Sequence, residues 1–173
     1  MAGSLIKIDE EIVTSAVASV SLLGIDSTYD VYMVSWLNLK NTNASYQDLS
    51  LRLTVSGTPD TSANYDRAAK NMASDSVFYN ESNTNSTEFT IGNQINTTSQ
   101  AQSNGILYLF NFNNASEYSF FTCEAVDWRY NLAVYGRQGG GVHTVAQACD
   151  GIQFLFISGY NFTGTFTLYG LKK

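Results

Sequence analysis

Leu49, Leu51, Leu53 and Val55 alternate with Ser50, Arg52, Thr54 and Ser56. A period of two puts apolar side chains on one face of an extended segment and polar ones on the other, as in a strand between a core and water. Similar runs recur along the chain, and no long stretch repeats with helical period. Residues 5–8 form a short apolar stretch suited to a sheet edge. Residues 12–23 alternate loosely, with Ile12, Thr14, Ala16, Ala18, Val20 and Leu22 on one face. Ala and Val would also fit a helix there, but the β-branched and Ser content favours strand. Gly24-Ile25-Asp26-Ser27 is turn chemistry.

Residues 30–40 are apolar on both faces. Val31, Met33, Leu37 and Leu39 share one face, and Tyr32, Val34 and Trp36 the other. Such a strand needs cover on both sides, from a loop, a helix or a neighbouring subunit. Tyr32, Val34 and Trp36 are therefore candidate interface residues, with Trp36 also a candidate core anchor. Gly57-Thr58-Pro59-Asp60 ends the strand that begins at Leu49, and Pro59, the only proline, is placed in the turn. Residues 62–72 predict the one helix, capped by Ser62 and carrying Ala63, Ala68, Ala69 and Met72.

Short strands are expected at 77–79 and 88–91, with polar loops at 80–87 and 93–104. Residues 106–112 read as an apolar strand with Tyr108, Phe110 and Phe112 on one face. A four-residue loop joins it to 117–126 as a hairpin. Strands at 132–135, 142–148, 152–157 and 162–171 complete the set. In the last, Phe162, Phe166 and Leu168 face inward while Thr163, Thr165 and Thr167 face outward. This density of strands predicts one all-β domain over residues 1–173. The expected fold is an antiparallel β-sandwich, with a jelly roll as first choice and one short helix.

Composition narrows what such a sandwich could do. The 173 residues are 44% hydrophobic, enough for a real core. Only 14% are charged, against about 25% in an ordinary soluble domain. Asn, Ser, Thr and Gln must then supply most of the polar surface, and neutral surfaces repel one another weakly. That favours life inside an assembly. The net charge of −6, with nine scattered Lys and Arg, disfavours binding to nucleic acid. No apolar run reaches the roughly 18 residues of a membrane helix, so membrane insertion is not expected. Asp9, Glu10 and Glu11 stand where a secretory signal would be apolar, which points to synthesis and retention in a cytoplasm.

Chemistry-bearing motifs are sparse. Cys123 and Cys149 have no metal-ligand spacing and read as small buried hydrophobes; a disulfide would need neighbouring strands and an oxidising environment. Gly139-Gly140-Gly141 has no following Lys-Ser/Thr or helix, so it reads as a turn and not a phosphate cradle. His143 is the only histidine and has no nucleophile elbow to serve. Six N-x-S/T sequons, at Asn43, Asn80, Asn85, Asn96, Asn114 and Asn161, mark loops. No catalytic, metal or cofactor residues are expected. The one cluster with binding chemistry is Asp127-Trp128-Arg129-Tyr130. Aromatic faces stack on sugar rings while polar groups take hydroxyls, and the same residue types are enriched at protein interfaces.

Four blocks carry a family resemblance. Gly24-Ile25-Asp26-Ser27-Thr28-Tyr29-Asp30-Val31-Tyr32, Leu51-Arg52-Leu53-Thr54-Val55-Ser56-Gly57, Tyr108-Leu109-Phe110-Asn111-Phe112-Asn113-Asn114 and Gly164-Thr165-Phe166-Thr167-Leu168-Tyr169-Gly170-Leu171 resemble segments of virion structural proteins of tailed, especially marine, bacteriophages. The resemblance implies a non-enzymatic component that decorates the head or belongs to the tail or its fibres. It carries no site residues. Other virion proteins would be its partners, and a homo-oligomer, with a trimer favoured, would suit a particle appendage. The alternative is a carbohydrate-binding module attaching a particle to host glycans.

Overall fold

Alternation becomes strand over more than half of the chain in the computed structural model, which describes residues 4–75, 78–98 and 100–172. The strands are β1 (Ser4–Val17), β2 (Ser19–Leu23), β3 (Val31–Asn41), β4 (Leu49–Val55), β5 (Thr58–Pro59), β6 (Tyr65–Ala73), β7 (Tyr79–Ser86), β8 (Phe89–Thr90), β9 (Ser103–Phe110), β10 (Ser119–Trp128), β11 (Val134–His143), β12 (Gly151–Phe156) and β13 (Phe162–Lys172). They form two antiparallel sheets. The larger has the order β1-β13-β3-β9-β10-β11-β6-β7, and the smaller runs β2-β12-β4-β5 with β8 also paired to β4. The jelly roll expected from the sequence is not confirmed by this order.

The sheets meet through their apolar faces. Leu49, Leu51 and Leu53 of β4 and Ile152, Phe154 and Phe156 of β12 face Val34, Trp36, Leu107, Leu109, Phe166 and Leu168 of the larger sheet, all essentially without exposure. Phe154 joins the layers, its ring centroid 6.1 Å from Trp36 and 4.8 Å from Phe166. Aromatic pairs at such spacings add to the area they bury. The inward direction expected for Phe162, Phe166 and Leu168 holds, although Thr167 opposite them is also buried.

The segments 24–32 and 164–171 tie one end of the fold together. Gly24 has φ +102°, and a Cβ there would meet Ile8 at 2.8 Å. Tyr32 Oη accepts the Asp26 N–H at 2.9 Å and donates to the Asp26 carbonyl at 2.6 Å, clamping the loop before β3. The Tyr29 ring lies over Gly170, where a Cβ would sit 2.3 Å from Cδ2. Residues 24–32 and 164–171 thus lock to each other, so their pattern is fold chemistry.

Several expectations need correction. Tyr32, Val34 and Trp36 point into the space between the sheets, with exposures of 2%, 0% and 0%, and are core residues and not interface residues. The face of β3 left outside carries Val31, Met33 and Leu37. No helix forms at 62–72: β6 runs there, between β11 and β7. Helix propensity is a weak prior, and tertiary pairing overrides it here. The alanines are small because β11 comes close; a Cβ at Gly139 would lie 2.4 Å from the Ala68 carbonyl. Gly139-Gly140-Gly141 is accordingly strand interior and not a turn.

The polar run at 80–87 is mostly β7, an edge strand, where one face can stay in water. Val77 of the strand expected at 77–79 lies outside the described residues, as does Ser99 of the loop expected at 93–104. Residues 12–23 are two strands, because the chain passes from one sheet to the other at Ala18 and leaves Ile12 65% exposed. Tyr108 and Phe110 face outward on β9. Phe112 turns inward because Asn111, at φ +62°, breaks the alternation. Pro59 lies in a two-residue edge ladder, where its missing N–H is harmless.

Candidate functional site

Antiparallel connectivity gathers the turns 42–48, 93–98, 129–133 and 157–161 at one end of the sandwich. The segment Asp127-Trp128-Arg129-Tyr130 ends there, and the structure separates its members. Asp127 points inward on β10 and is 2% exposed. Trp128 points to the outer sheet face, 36% exposed. The Arg129 guanidinium lies 4.5 Å from the Tyr135 ring centroid and 5.7 Å from that of Tyr130, and it donates to Gln94 Oε1. Tyr130 alone of the four joins a platform, stacked on Tyr46 with centroids 4.7 Å apart and planes 28° apart.

Tyr46 has no signal in the sequence that would associate it with Tyr130; only the fold brings the two turns together. Clefts flank the stacked pair. One, of about 320 Å³, is lined by Ala44, Ser45, Tyr46, Asn96, Thr97 and Tyr130. The other, of about 280 Å³, is lined by Tyr46, Gln47, Asp48, Ile157 and Ser158. Asn96 is fixed by donating to the Arg129 carbonyl and accepting the Thr98 N–H, both at 2.9 Å. Exposed aromatic faces beside hydroxyls and amides are the chemistry of neutral saccharide recognition.

A second polar group lies where the larger sheet outreaches the smaller. Arg137 on β11 is 2% exposed. It donates to Glu81 Oε2, to Asn71 Oδ1 at 3.1 Å and to the Thr90 carbonyl at 2.6 Å. Arg67 approaches the other Glu81 oxygen at 2.6 Å. Burial pushes the Glu81 carboxyl up, but the two guanidiniums outweigh it and hold it below its ordinary value. The Thr90 carbonyl and the Asn93 side-chain amide, which donates to Glu81 Oε2 at 3.4 Å, close over this group.

Asp127, nearby, accepts the Asn93 N–H at 3.0 Å. Burial raises its carboxyl from 3.8 to about 6, against the opposing effects of Ser103, Asn93 and Arg137. Between those two pH values the folded chain holds a proton that the unfolded chain has released. Stability from this group therefore falls as pH rises through the window and stays low above it. The wild-type stability minus that of Asp127→Asn should drop by about 2–3 kcal/mol from pH 4 to pH 7 in urea titrations. A difference that stays flat with pH would show that Asp127 titrates normally.

At the opposite end, His143 Nε2 lies 3.2 Å from Asp60 Oδ2, and Ser119 is the ladder partner of His143. Histidine, aspartate and serine are thus close, but the imidazole has no exposure and Ser119 is 1% exposed. Burial lowers the imidazole pKa against the pull of Asp60. The sealed imidazole packs edge-on to Tyr65, with ring centroids 4.6 Å apart, as a core side chain. Cys123 and Cys149 are free and buried, and burial pushes their thiols up to about 12 and about 11. Among the described residues no helix is long and apolar enough to cross a membrane, and no group of three or more His, Cys, Asp or Glu could hold a metal ion.

The outer face of the larger sheet carries the remaining surface feature. Val31, Phe110, Phe120 and Val142 are successive cross-strand partners on β3, β9, β10 and β11, and Phe120 is 44% exposed. Met33 and Tyr108 pair in the adjoining row. Beside them a groove of about 510 Å³ is lined by Ile106, Tyr108, Thr122, Cys123, Glu124, Gln138 and Gly139. Comparison with protein-family models, curated proteins and solved structures finds no match to this chain.

Proposed function

We propose that this chain is a non-enzymatic structural component of a tailed-bacteriophage particle, decorating the capsid or associated with the tail or its fibres, and that it acts through protein–protein contacts. The band Val31–Phe110–Phe120–Val142 carries this reading. It is a continuous apolar row on a sheet face that no part of the described chain covers as the second sheet covers the other face. Phe120 is exposed and the other three are half-buried, and a contiguous apolar surface of this kind marks protein contact sites. The resemblance of four blocks to phage structural proteins supplies the setting. Mass spectrometry of purified particles of the encoding phage should find the chain in fixed stoichiometry; its absence from washed particles would overturn the reading.

A second reading is favoured by the Tyr46–Tyr130 stack and its two clefts: attachment to a host-surface glycan. Tyr130→Ala and Tyr46→Ala should each weaken glycan-array binding at least about tenfold, a loss of about 1.4 kcal/mol, while leaving the melting temperature near wild type. No binding by the wild-type chain to any neutral glycan would remove this reading.

A further inference from the structure

The two edges of the larger sheet are built differently. An edge strand exposes unpaired backbone donors and acceptors, and proteins usually blunt it with charge, proline or bulges. β1 has such protection. It carries Lys7, Asp9, Glu10 and Glu11, and its pairing with β13 shifts register between Lys7 and Asp9 and again between Val13 and Val17. β7, at the other edge, has little of it, with one register shift near its C-terminal end, where Asn85 has φ +54°. Its residues are Tyr79, Asn80, Glu81, Ser82, Asn83, Thr84, Asn85 and Ser86, without Lys, Arg or Pro. Its one charge, Glu81, turns inward to Arg67 and Arg137 and is neutralised there. The ladder to β6 is regular from Asn71↔Tyr79 to Arg67↔Asn83, with a shift only beyond it.

We infer that β7 pairs antiparallel with β7 of a second copy, forming a two-fold dimer in which the larger sheet runs through both subunits. The occupant follows from the side chains. An antiparallel strand meeting itself must be self-complementary, because the two-fold places each residue type against the same set. Asn, Ser and Thr both donate and accept, so the exposed positions Asn80, Ser82 and Thr84 fit a reversed copy without a charge clash. Pairing β7 with β1 of another copy would have to follow a ladder broken twice by register shifts, on a strand whose acids are already engaged, Glu10 by Lys7 and Asp9 by the Leu23 N–H. An isologous edge contact closes at two copies, so this geometry replaces the three-fold arrangement expected from the resemblance.

The inference rests on the proposed function only in taking association to be the working mode of the chain. Sedimentation equilibrium of the full chain, from about 1 to 100 µM, tests it with two double variants. Ser82→Lys/Thr84→Lys places lysines on the exposed face of β7, where they meet their two-fold mates. Thr14→Lys/Ala16→Lys places the same charge on β1. The wild type and the β1 variant should be dimers, and the β7 variant should dissociate at least about tenfold more readily with an unchanged far-ultraviolet spectrum. A wild type that stays monomeric, or a β7 variant that dimerises like wild type, would overturn the edge pairing. A monomer still found in purified particles would remove this inference and leave the proposed function standing. A dimer absent from particles would do the reverse.

Discussion

Replacing Trp36 with alanine should lower the stability of the chain by about 3–5 kcal/mol. The indole is fully buried between the sheets. Its Nε1 donates to Ser103 Oγ at 2.9 Å. Gly105 on the neighbouring strand leaves the space the ring fills; a Cβ there would lie 2.2 Å from Cζ2. Truncation therefore opens a cavity that glycine backbone cannot collapse to fill, and it leaves the buried Ser103 hydroxyl without its donor. Urea denaturation of Trp36→Ala against wild type reads the cost directly. A loss under about 1 kcal/mol would mean that the ring is not the anchor its burial implies.

Glu81→Ala should cost a comparable amount, about 3–5 kcal/mol, although Glu81 sits on an edge strand. The reason lies in what remains. Arg137 and Arg67, with side-chain exposures of 2% and 10%, would keep their charges with no carboxylate between them. An uncompensated buried charge is far costlier than a missing ion pair. The double variant Glu81→Ala/Arg137→Met should then recover a large part of the loss, because it removes the stranded charge along with its partner. If the double variant is as unstable as the two single changes summed, the charges are not coupled.

The sheet architecture was legible because burial of one strand face imposes a period of two, which Leu49 to Val55 and Phe162 to Leu168 show, although Ser50, Thr54 and Thr167 on the opposite faces are buried as well and do not face water as their polarity predicts. What misled was sequence that satisfies two local rules at once. Ala68, Ala69 and Met72 suit a helix, yet Ala68 and Ala69 lie opposite Gly140 and Gly139, and Met72 opposite Gly136, within a sheet. Asn80 to Ser86 looks like loop because an edge strand needs no apolar face. For Tyr32, Val34 and Trp36 the pattern identified a strand apolar on both sides but could not say which side was the core.

The candidate site was less legible still. Asp127, Trp128, Arg129 and Tyr130 are adjacent in sequence, and strand geometry sends alternate side chains to opposite faces. The partner that Tyr130 does find, Tyr46, lies 84 positions earlier, and no local pattern encodes that distance. The Arg67–Glu81–Arg137 group is likewise assembled from three strands. Its signal, charges at inward positions of alternating strands, becomes visible only once the strands are known.

Electron microscopy of intact phage particles, at a resolution that traces the strands, tests the central claim most directly. The account predicts that this sandwich is present in the particle with Val31, Phe110, Phe120 and Val142 buried against another protein chain. Finding the sandwich in place with that band facing solvent, or finding no density for it at all, would contradict the account.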